Sequence, residues 1–465
     1  MATRLTIIGA GPGGYVAAIR AARAGAQVTV IEDREVGGAC LHAGCIPTKT
    51  LLATAEMLER IRNAADFGVE TGAARYNLER VRERKDKVIA TQVKGIRALF
   101  KSWGVTCITG RGSLLSEDAV RLVQSDGTTQ DILSDKIIIA TGSRPAALPG
   151  ITPDGQTILT SDDAVQMKRV PKSILIIGAG AIGCEFAFIY RAFGADVTVV
   201  ELMSHALPAA DAEISEIIER EMKKAKIMLQ VGERIERVER TGDGTTTTLA
   251  SGKTIAAEQV LLSIGRKQNT DGLDLEYTGI ATGKRGEITV NERMETSVPG
   301  VFAVGDVTGK LLLAHVASRQ GIVAAENATG GDARMDYRVV PAGVFTLPEV
   351  GSVGITEREA EQQGIHVRIG RFPYRALGKA HSMGELAGMV KVIADAGTDI
   401  VLGVHICGAH ATDLVHEAAC AMHLGARAAD IGRMIHAHPT LAEAVMEAAE
   451  DVHAAAIHLP KRSGA

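Results

Sequence analysis

The sequence predicts an α/β chain: two doubly wound parallel-sheet units of one design, then a C-terminal α+β domain. Three observations carry that prediction. A strand, glycine turn, helix and strand occur twice in the same order. Small residues abound while aromatics are scarce. After about Asp336, continuous apolar runs give way to alternating apolar and polar residues.

The repeat is explicit. Residues 7–32 read IIGAGPGGYVAAIRAARAGAQVTVIE, and residues 176–201 read IIGAGAIGCEFAFIYRAFGADVTVVE. They align without a gap at an offset of 169, with 13 of 26 positions identical. Each copy is one βαβ unit ending in an acid. Charged, helical sequence runs from Thr48 to Ser102, and short strands follow, ending in Lys136-Ile-Ile-Ile. Pro145–Pro171, with four prolines, reads as a linker. The second unit runs on to Leu261-Leu-Ser-Ile-Gly-Arg, and residues 314–327 read as a helix. Met389–Asp395 and Ile400–Ile406 alternate as antiparallel strands, and residues 411–424 and 441–456 read as helices.

Composition bounds the function. A chain of 465 residues exceeds one ordinary domain, and 46% apolar residues can fill several cores. Aromatics at 3% and a net charge of −4 offer neither base-stacking surface nor basic footprint, so nucleic acid and anionic membrane are not expected partners. No apolar run reaches the roughly 18 residues of a membrane helix. Arg4-Leu-Thr-Ile-Ile-Gly opens directly on a strand, with no signal or transit pattern before it, so cytoplasm is the expected address. Six cysteines in so long a chain make no disulfide framework.

Gly9, Gly11 and Gly14 form G-x-G-x-x-G between a strand and a helix, and Glu32 closes the next strand. Glycines allow a tight turn and close approach of a pyrophosphate to the free N–H groups of the helix start. The acid accepts from ribose hydroxyls. Gly178, Gly180, Gly183 and Glu201 repeat the pattern, which predicts two dinucleotides. A carboxylate at Glu201 suits a ribose 2′-OH and repels a 2′-phosphate, favouring NAD over NADP. The bland alternative for each turn is helix–strand packing alone.

Cys40 and Cys45 lie in Gly-Gly-Ala-Cys-Leu-His-Ala-Gly-Cys-Ile-Pro-Thr-Lys, close enough to bond through a loop or first helical turn. A helix expected to begin near Cys45 favours a thiolate there, and Lys49 follows one turn on. A metal site would need further ligands, and only His42 is near; no metal is expected. Cys107, Cys184, Cys407 and Cys420 sit in apolar stretches and read as small core residues. Thr141, Gly142 and Ser143, like Asp306, follow apolar strands, where α/β sheets bind ligands; the alternative is a polar loop tip. His436-Ala-His438-Pro-Thr-Leu-Ala-Glu443 holds an imidazole that Glu443 can orient for proton transfer, or else a structural turn.

At Gly38–Lys49, G-G-x-C-x-x-x-G-C-I-P-x-K resembles the redox motif of the class I pyridine nucleotide-disulfide oxidoreductases. The likeness runs nearly end to end and is greatest to the dihydrolipoamide dehydrogenases, through Ala140-Thr-Gly-Ser, Gly305-Asp306, Leu313-Ala314-His315 and His-x-His-Pro-Thr. It implies two Rossmann-like domains, FAD-binding over 1–148 and NAD-binding over 149–270. A central domain over 271–337 completes the FAD site, and an interface domain over 338–465 forms a homodimer. The resemblance makes Cys40 the interchange thiol, Cys45 the flavin-side thiol, and His438, oriented by Glu443, the proton acceptor supplied to the partner chain. It matches Lys49 and Glu185 to a pair beside the flavin. It adds Gly112, Leu313, Ala314 and His315 to the FAD site, and Gly265 to the NAD site. It implies oxidation of dihydrolipoamide carried by a separate lipoyl-bearing protein, with reduction of another disulfide, a metal ion or a quinone as the alternative. Leu377, Gly378 and Lys379 stand where many such dehydrogenases carry Asn-Ser-Arg, and Met383-Gly-Glu-Leu-Ala-Gly is also seen in mercuric reductases, which add a C-terminal cysteine pair.

Overall fold

A computed structural model describes residues 2–242 and 244–461. Residue 1 of the expected first domain, residue 243 of the second and residues 462–465 of the last lie outside the described residues. The chain is mixed α/β as expected, with three five-stranded sheets among its sheets.

The first large sheet is wholly parallel. Its strands run in the order Val301–Ala303, Lys136–Ile139, Arg4–Ile8, Gln27–Glu32, Thr106–Thr109. The second repeats the design: Ile158–Thr160, Gln259–Leu262, Ser173–Ile177, Asp196–Val200, Met228–Gln230. Strands covered on both faces must be apolar throughout, which is why Ile7, Ile137, Ile138 and Ile139, like Leu175, Ile176 and Leu261, are fully buried. Each unit also carries a three-stranded antiparallel sheet.

The edge strands are where expectation and structure differ. The linker expected at Pro145–Pro171 contains Ile158–Thr160, which closes the second sheet beside Gln259–Leu262. Only three apolar-to-polar residues sit there among prolines and glycines, and partnering across the sheet supplies what local pattern lacks. The segment after the second unit returns to the first: Val301–Ala303 pairs with Lys136–Ile139, and Val298, Val316 and Val323 share the first core. Helices Pro12–Arg23 and Ala314–Ala328 pack closely there, since a Cβ on Gly321 would fall 2.3 Å from the Gly13 carbonyl oxygen.

The charged stretch from Thr48 to Ser102 is helical as expected, in two α-helices, Cys45–Arg62 and Leu78–Ser102. The last sheet is antiparallel: Ala342–Val344, Glu349–Gly354, Val401–Gly408, Met389–Asp395, Val367–Pro373. Helices Ala411–His423 and Glu443–Asp451 complete this unit; the second is shorter at both ends than residues 441–456. Its start is delayed because Glu443 turns back to the Thr440 N–H, and Ala454, at φ +56°, lies beyond its end. Cys184 and Cys407 are buried as expected, but Cys107 and Cys420 are exposed, on an edge strand and on a helix face that the described chain leaves uncovered. No helix among the described residues is long and apolar enough to cross a membrane.

Candidate active site

Both glycine turns are shaped by the same steric demand. Gly9 (φ +104°) and Gly178 (φ +101°) lie in left-handed territory, and a Cβ on either would strike a carbonyl oxygen, Ala140 at 2.4 Å or Ser263 at 2.6 Å. A Cβ on Gly14 or Gly183 would fall 1.9 Å from the carbonyl oxygen of Gly9 or Gly178. Gly11 and Gly180 meet no such obstacle and leave the mouth of each turn open.

The helices that follow are bare at their starts. Pro12–Arg23 and Ala181–Ala192 have no side-chain cap and no acid in the first turn, and neither has Ala314–Ala328, entered through Leu313. Some other helices are capped, by Asn77, Thr160, Asp211 and Thr356, though others are not. Orphan N–H groups at uncapped starts suit phosphate oxygens, so these residues fit two dinucleotides.

Glu32 and Glu201 are buried at the ends of matching strands. Glu32 accepts the N–H groups of Ala10 (2.7 Å) and Arg34 (3.0 Å). Glu201 accepts those of Ala179 (2.6 Å) and Met203 (2.8 Å). Each acid therefore also braces its own turn, and a carboxylate oxygen has a second lone pair for a ribose hydroxyl. Burial pushes the Glu32 carboxyl above its usual range, against the two backbone donors.

Thr141, Gly142, Ser143 and Asp306 converge. Thr141 Oγ1 donates to the Asn269 carbonyl (2.7 Å), and Gly142 takes φ +70°. Ser143 Oγ donates to Asp306, and Arg266 Nε donates to Ser143 Oγ at 2.7 Å. Gly112 packs on Ile8 of the first sheet. His315 pairs with the Pro341 carbonyl at 2.8 Å, beside Leu313 and Ala314 at the helix start. Gly265 (φ +114°) follows the strand Gln259–Leu262, next to Arg266.

The thiols sit at a helix junction. Cys40 lies in the short helix Gly38–His42, and Cys45 is the first residue of Cys45–Arg62, as expected. Gly38 allows the approach, since its Cβ would fall 2.6 Å from Gly11 Cα, which sets the cysteine loop against the first glycine turn. Both cysteines are free thiols within hydrogen-bonding reach. Cys45 is lowered to about 7 by its bond from Cys40, against burial, and by the Lys49 ammonium. Cys40 is pushed up by donating that bond, by burial and by the neighbouring sulfur charge. Both shifts run in the direction that favours negative charge on Cys45 over Cys40.

Lys49 bonds both Glu185 oxygens, at 2.9 and 2.8 Å, which brings the cysteine helix to the start of the second unit's helix. Phe345, from the last sheet's first connection, donates its N–H to Glu185 (3.0 Å) and lays its ring 4.5 Å from Lys49 Nζ. Phe345, Arg266 and Asn269 were not marked by the sequence. Arg266 alone had a signal, following Gly265 at a strand end.

The closing cluster divides. His436 is buried at 3% side-chain exposure, between Glu417 and the Met434 carbonyl, and is structural. His438 is 76% exposed and pairs through Nδ1 with Glu443 at 2.8 Å. Burial would raise the Glu443 carboxyl, but the Thr440 N–H and His438 bring it below its usual value. No hydrogen bond or ion pair among the described residues joins His438 to the thiols of its own chain.

Comparison with known proteins places this geometry. The pyridine nucleotide-disulphide oxidoreductase model matches residues 3–321, and the dimerisation domain of the same group matches residues 340–449. The chain belongs to the pyridine nucleotide-disulphide oxidoreductases. Within the family it is 43% identical to a dihydrolipoyl dehydrogenase of Bacillus subtilis, over 98% of each chain. It is 41% identical to a leghemoglobin reductase of Glycine max, over 96% of this chain and 86% of that one. Among solved structures it is similar to LpdA of Mycobacterium tuberculosis (TM-score 0.90, 32% identity, 96% and 99% of the chains covered). It is also similar to the copper(II) complex of the HOCl-induced flavoprotein disulfide reductase RclA of Escherichia coli (TM-score 0.87, 26% identity, 97% and 99% covered).

Proposed function

We propose that this oxidoreductase is an FAD- and NAD-dependent dihydrolipoyl dehydrogenase working as a homodimer. The observation that carries the reading is the unequal thiol pair on the first glycine turn, joined by Lys49–Glu185 to the second turn. Full-length likeness to dihydrolipoyl dehydrogenases supports the substrate.

Gly9, Gly11, Gly14, Glu32, Gly112, Thr141–Ser143, Asp306 and Leu313–His315 would hold FAD. Gly178, Gly180, Gly183, Glu201 and Gly265 would hold NAD. When bound, the two cofactors supply the two-electron transfer that returns the protein dithiol to the disulfide.

The protein's own groups do the rest. A substrate thiol gives its proton to His438 of the partner chain, whose imidazole Glu443 orients. The resulting thiolate attacks Cys40 of the Cys40–Cys45 disulfide. The new mixed disulfide forms as the Cys40–Cys45 bond breaks, and Cys45 leaves as the thiolate that Lys49 stabilises. The second substrate thiol then attacks the substrate sulfur of the mixed disulfide, the bond to Cys40 breaks, and its proton passes to the departing Cys40 sulfur, releasing lipoamide and leaving Cys40 reduced. Exposure of the His438 ring, on a domain of the dimerisation class, supports its use by the neighbouring subunit. A lipoyl group would arrive on a partner protein, and the proposed compartment is the cytoplasm, where a close cysteine pair serves catalysis rather than structure.

The test is NADH formation by the purified holoenzyme given dihydrolipoamide with NAD, then NADP in place of NAD. Turnover with NAD in excess over NADP is expected. Absence of turnover with dihydrolipoamide, alongside activity on another disulfide, would overturn the substrate assignment.

A further inference from the structure

The reaction above leaves a second imidazole–carboxylate pair unused. Helix Glu443–Asp451 presents Glu443 and Glu447 one turn apart, on one face. Glu443 holds His438 through Nδ1 at 2.8 Å, and Glu447 holds His458 through Nδ1 at 2.5 Å. Glu447 also accepts the N–H of Ile457 (2.9 Å) and is 3% exposed, so its carboxylate is fixed. The His458 ring itself stays at the surface, 68% exposed, as His438 does.

Neighbouring charges are engaged elsewhere. His436 bonds Glu417, and His453 lies 3.0 Å from Asp399. Asp451 accepts the Arg371 N–H. His458, held on Glu447 one helical turn from Glu443, is a further imidazole whose charge acts on the Glu443 carboxylate.

We propose that the His458–Glu447 pair is a positioning element of the proton-accepting site, acting on His438 through Glu443. The proposal rests on the reading of His438 as proton acceptor. A cation at His458 favours the ionised Glu443 carboxylate and disfavours a second imidazolium at His438. Without that cation, Glu447 remains as an unbalanced negative charge, which favours the His438 imidazolium.

The test follows the His438 ring by NMR in 13C-histidine-labelled holoenzyme, a readout that needs no substrate, and the pH profile of kcat/KM with dihydrolipoamide. In His458→Gln the His438 titration is expected to move up by about half a pH unit, with the limb of the profile moving alike. His458→Arg, which keeps a cation, is expected to restore the original position. An unmoved His438 titration in His458→Gln overturns the proposal, as does an equal shift in both variants, which marks a structural role. If the wild-type enzyme does not turn over dihydrolipoamide, the functional reading falls while the ring titration still decides the coupling.

Discussion

Lys49 and Glu185, 136 positions apart, meet with the Lys49 ammonium 2.9 and 2.8 Å from the two carboxylate oxygens. One belongs to the cysteine helix, the other to the second turn of the second unit's helix. The duplicated units thus touch at the residue that also stabilises the Cys45 thiolate.

Replacing Lys49 with Met removes that positive charge, and the Cys45 thiol is expected to rise from about 7. A rise of one unit cuts the thiolate fraction at neutral pH from about one half to about one tenth. Alkylation of the reduced protein by iodoacetamide, followed against pH, reads it directly. An unchanged profile would show that Cys40 alone holds Cys45 down.

Glu201→Gln should narrow the preference for NAD over NADP. The amide keeps an acceptor for the turn but loses the charge that repels a 2′-phosphate. The ratio of kcat/KM for the two cofactors is the measure, because bracing of Ala179 and Met203 affects both alike. A ratio that does not move would leave Glu201 a bracing residue only.

For His438→Gln a loss of about 10²–10⁴ in kcat is expected with FAD still bound. His436→Gln, which strips the buried bond to Glu417, should lower Tm more than it lowers rate. Similar rates for the two variants would return His438 to a structural role.

The sequence carried the repeated units because their demands are local: Gly9 and Gly178 are needed by a φ and a carbonyl next door, and both are visible in the motif. The Cys45 helix start was legible for the same reason. Strand Ile158–Thr160 was hidden because three residues hold no period, and its partner lies about a hundred positions on. The difference between His436 and His438 is burial, set by Glu417 on another helix, and spacing cannot show it. Phe345 meets Glu185 across 160 positions, beyond any local pattern.

A buried ion network joins the second unit to the last sheet. Lys391, 1% exposed, bonds Asp211, Glu213 and Glu357 at 2.6–3.0 Å, and Arg371 bonds Glu213 at 2.7 Å. Lys391→Met leaves the buried Asp211 carboxylate without its cation, while Arg371 still serves Glu213 and Glu357, and is expected to cost about 3–5 kcal/mol, read as a lowered Tm. Burial would raise the Glu213 carboxyl, but Arg371 and Lys391 bring it down to about 2 from 4.5. Its contribution is therefore present above pH 4.5 and lost as pH falls through about 2. Acid unfolding of Lys391→Met should begin at higher pH than in the wild type; coincident curves would contradict this.

The central claim is the division of labour between Cys40 and Cys45, and the visible spectrum of the holoenzyme variants tests it most directly. Cys40→Ser keeps Cys45 and should show a long-wavelength thiolate–flavin band that fades as pH falls below the Cys45 titration. Cys45→Ser should lack the band, and both should lose turnover with dihydrolipoamide. A band in Cys45→Ser and none in Cys40→Ser would reverse the two roles.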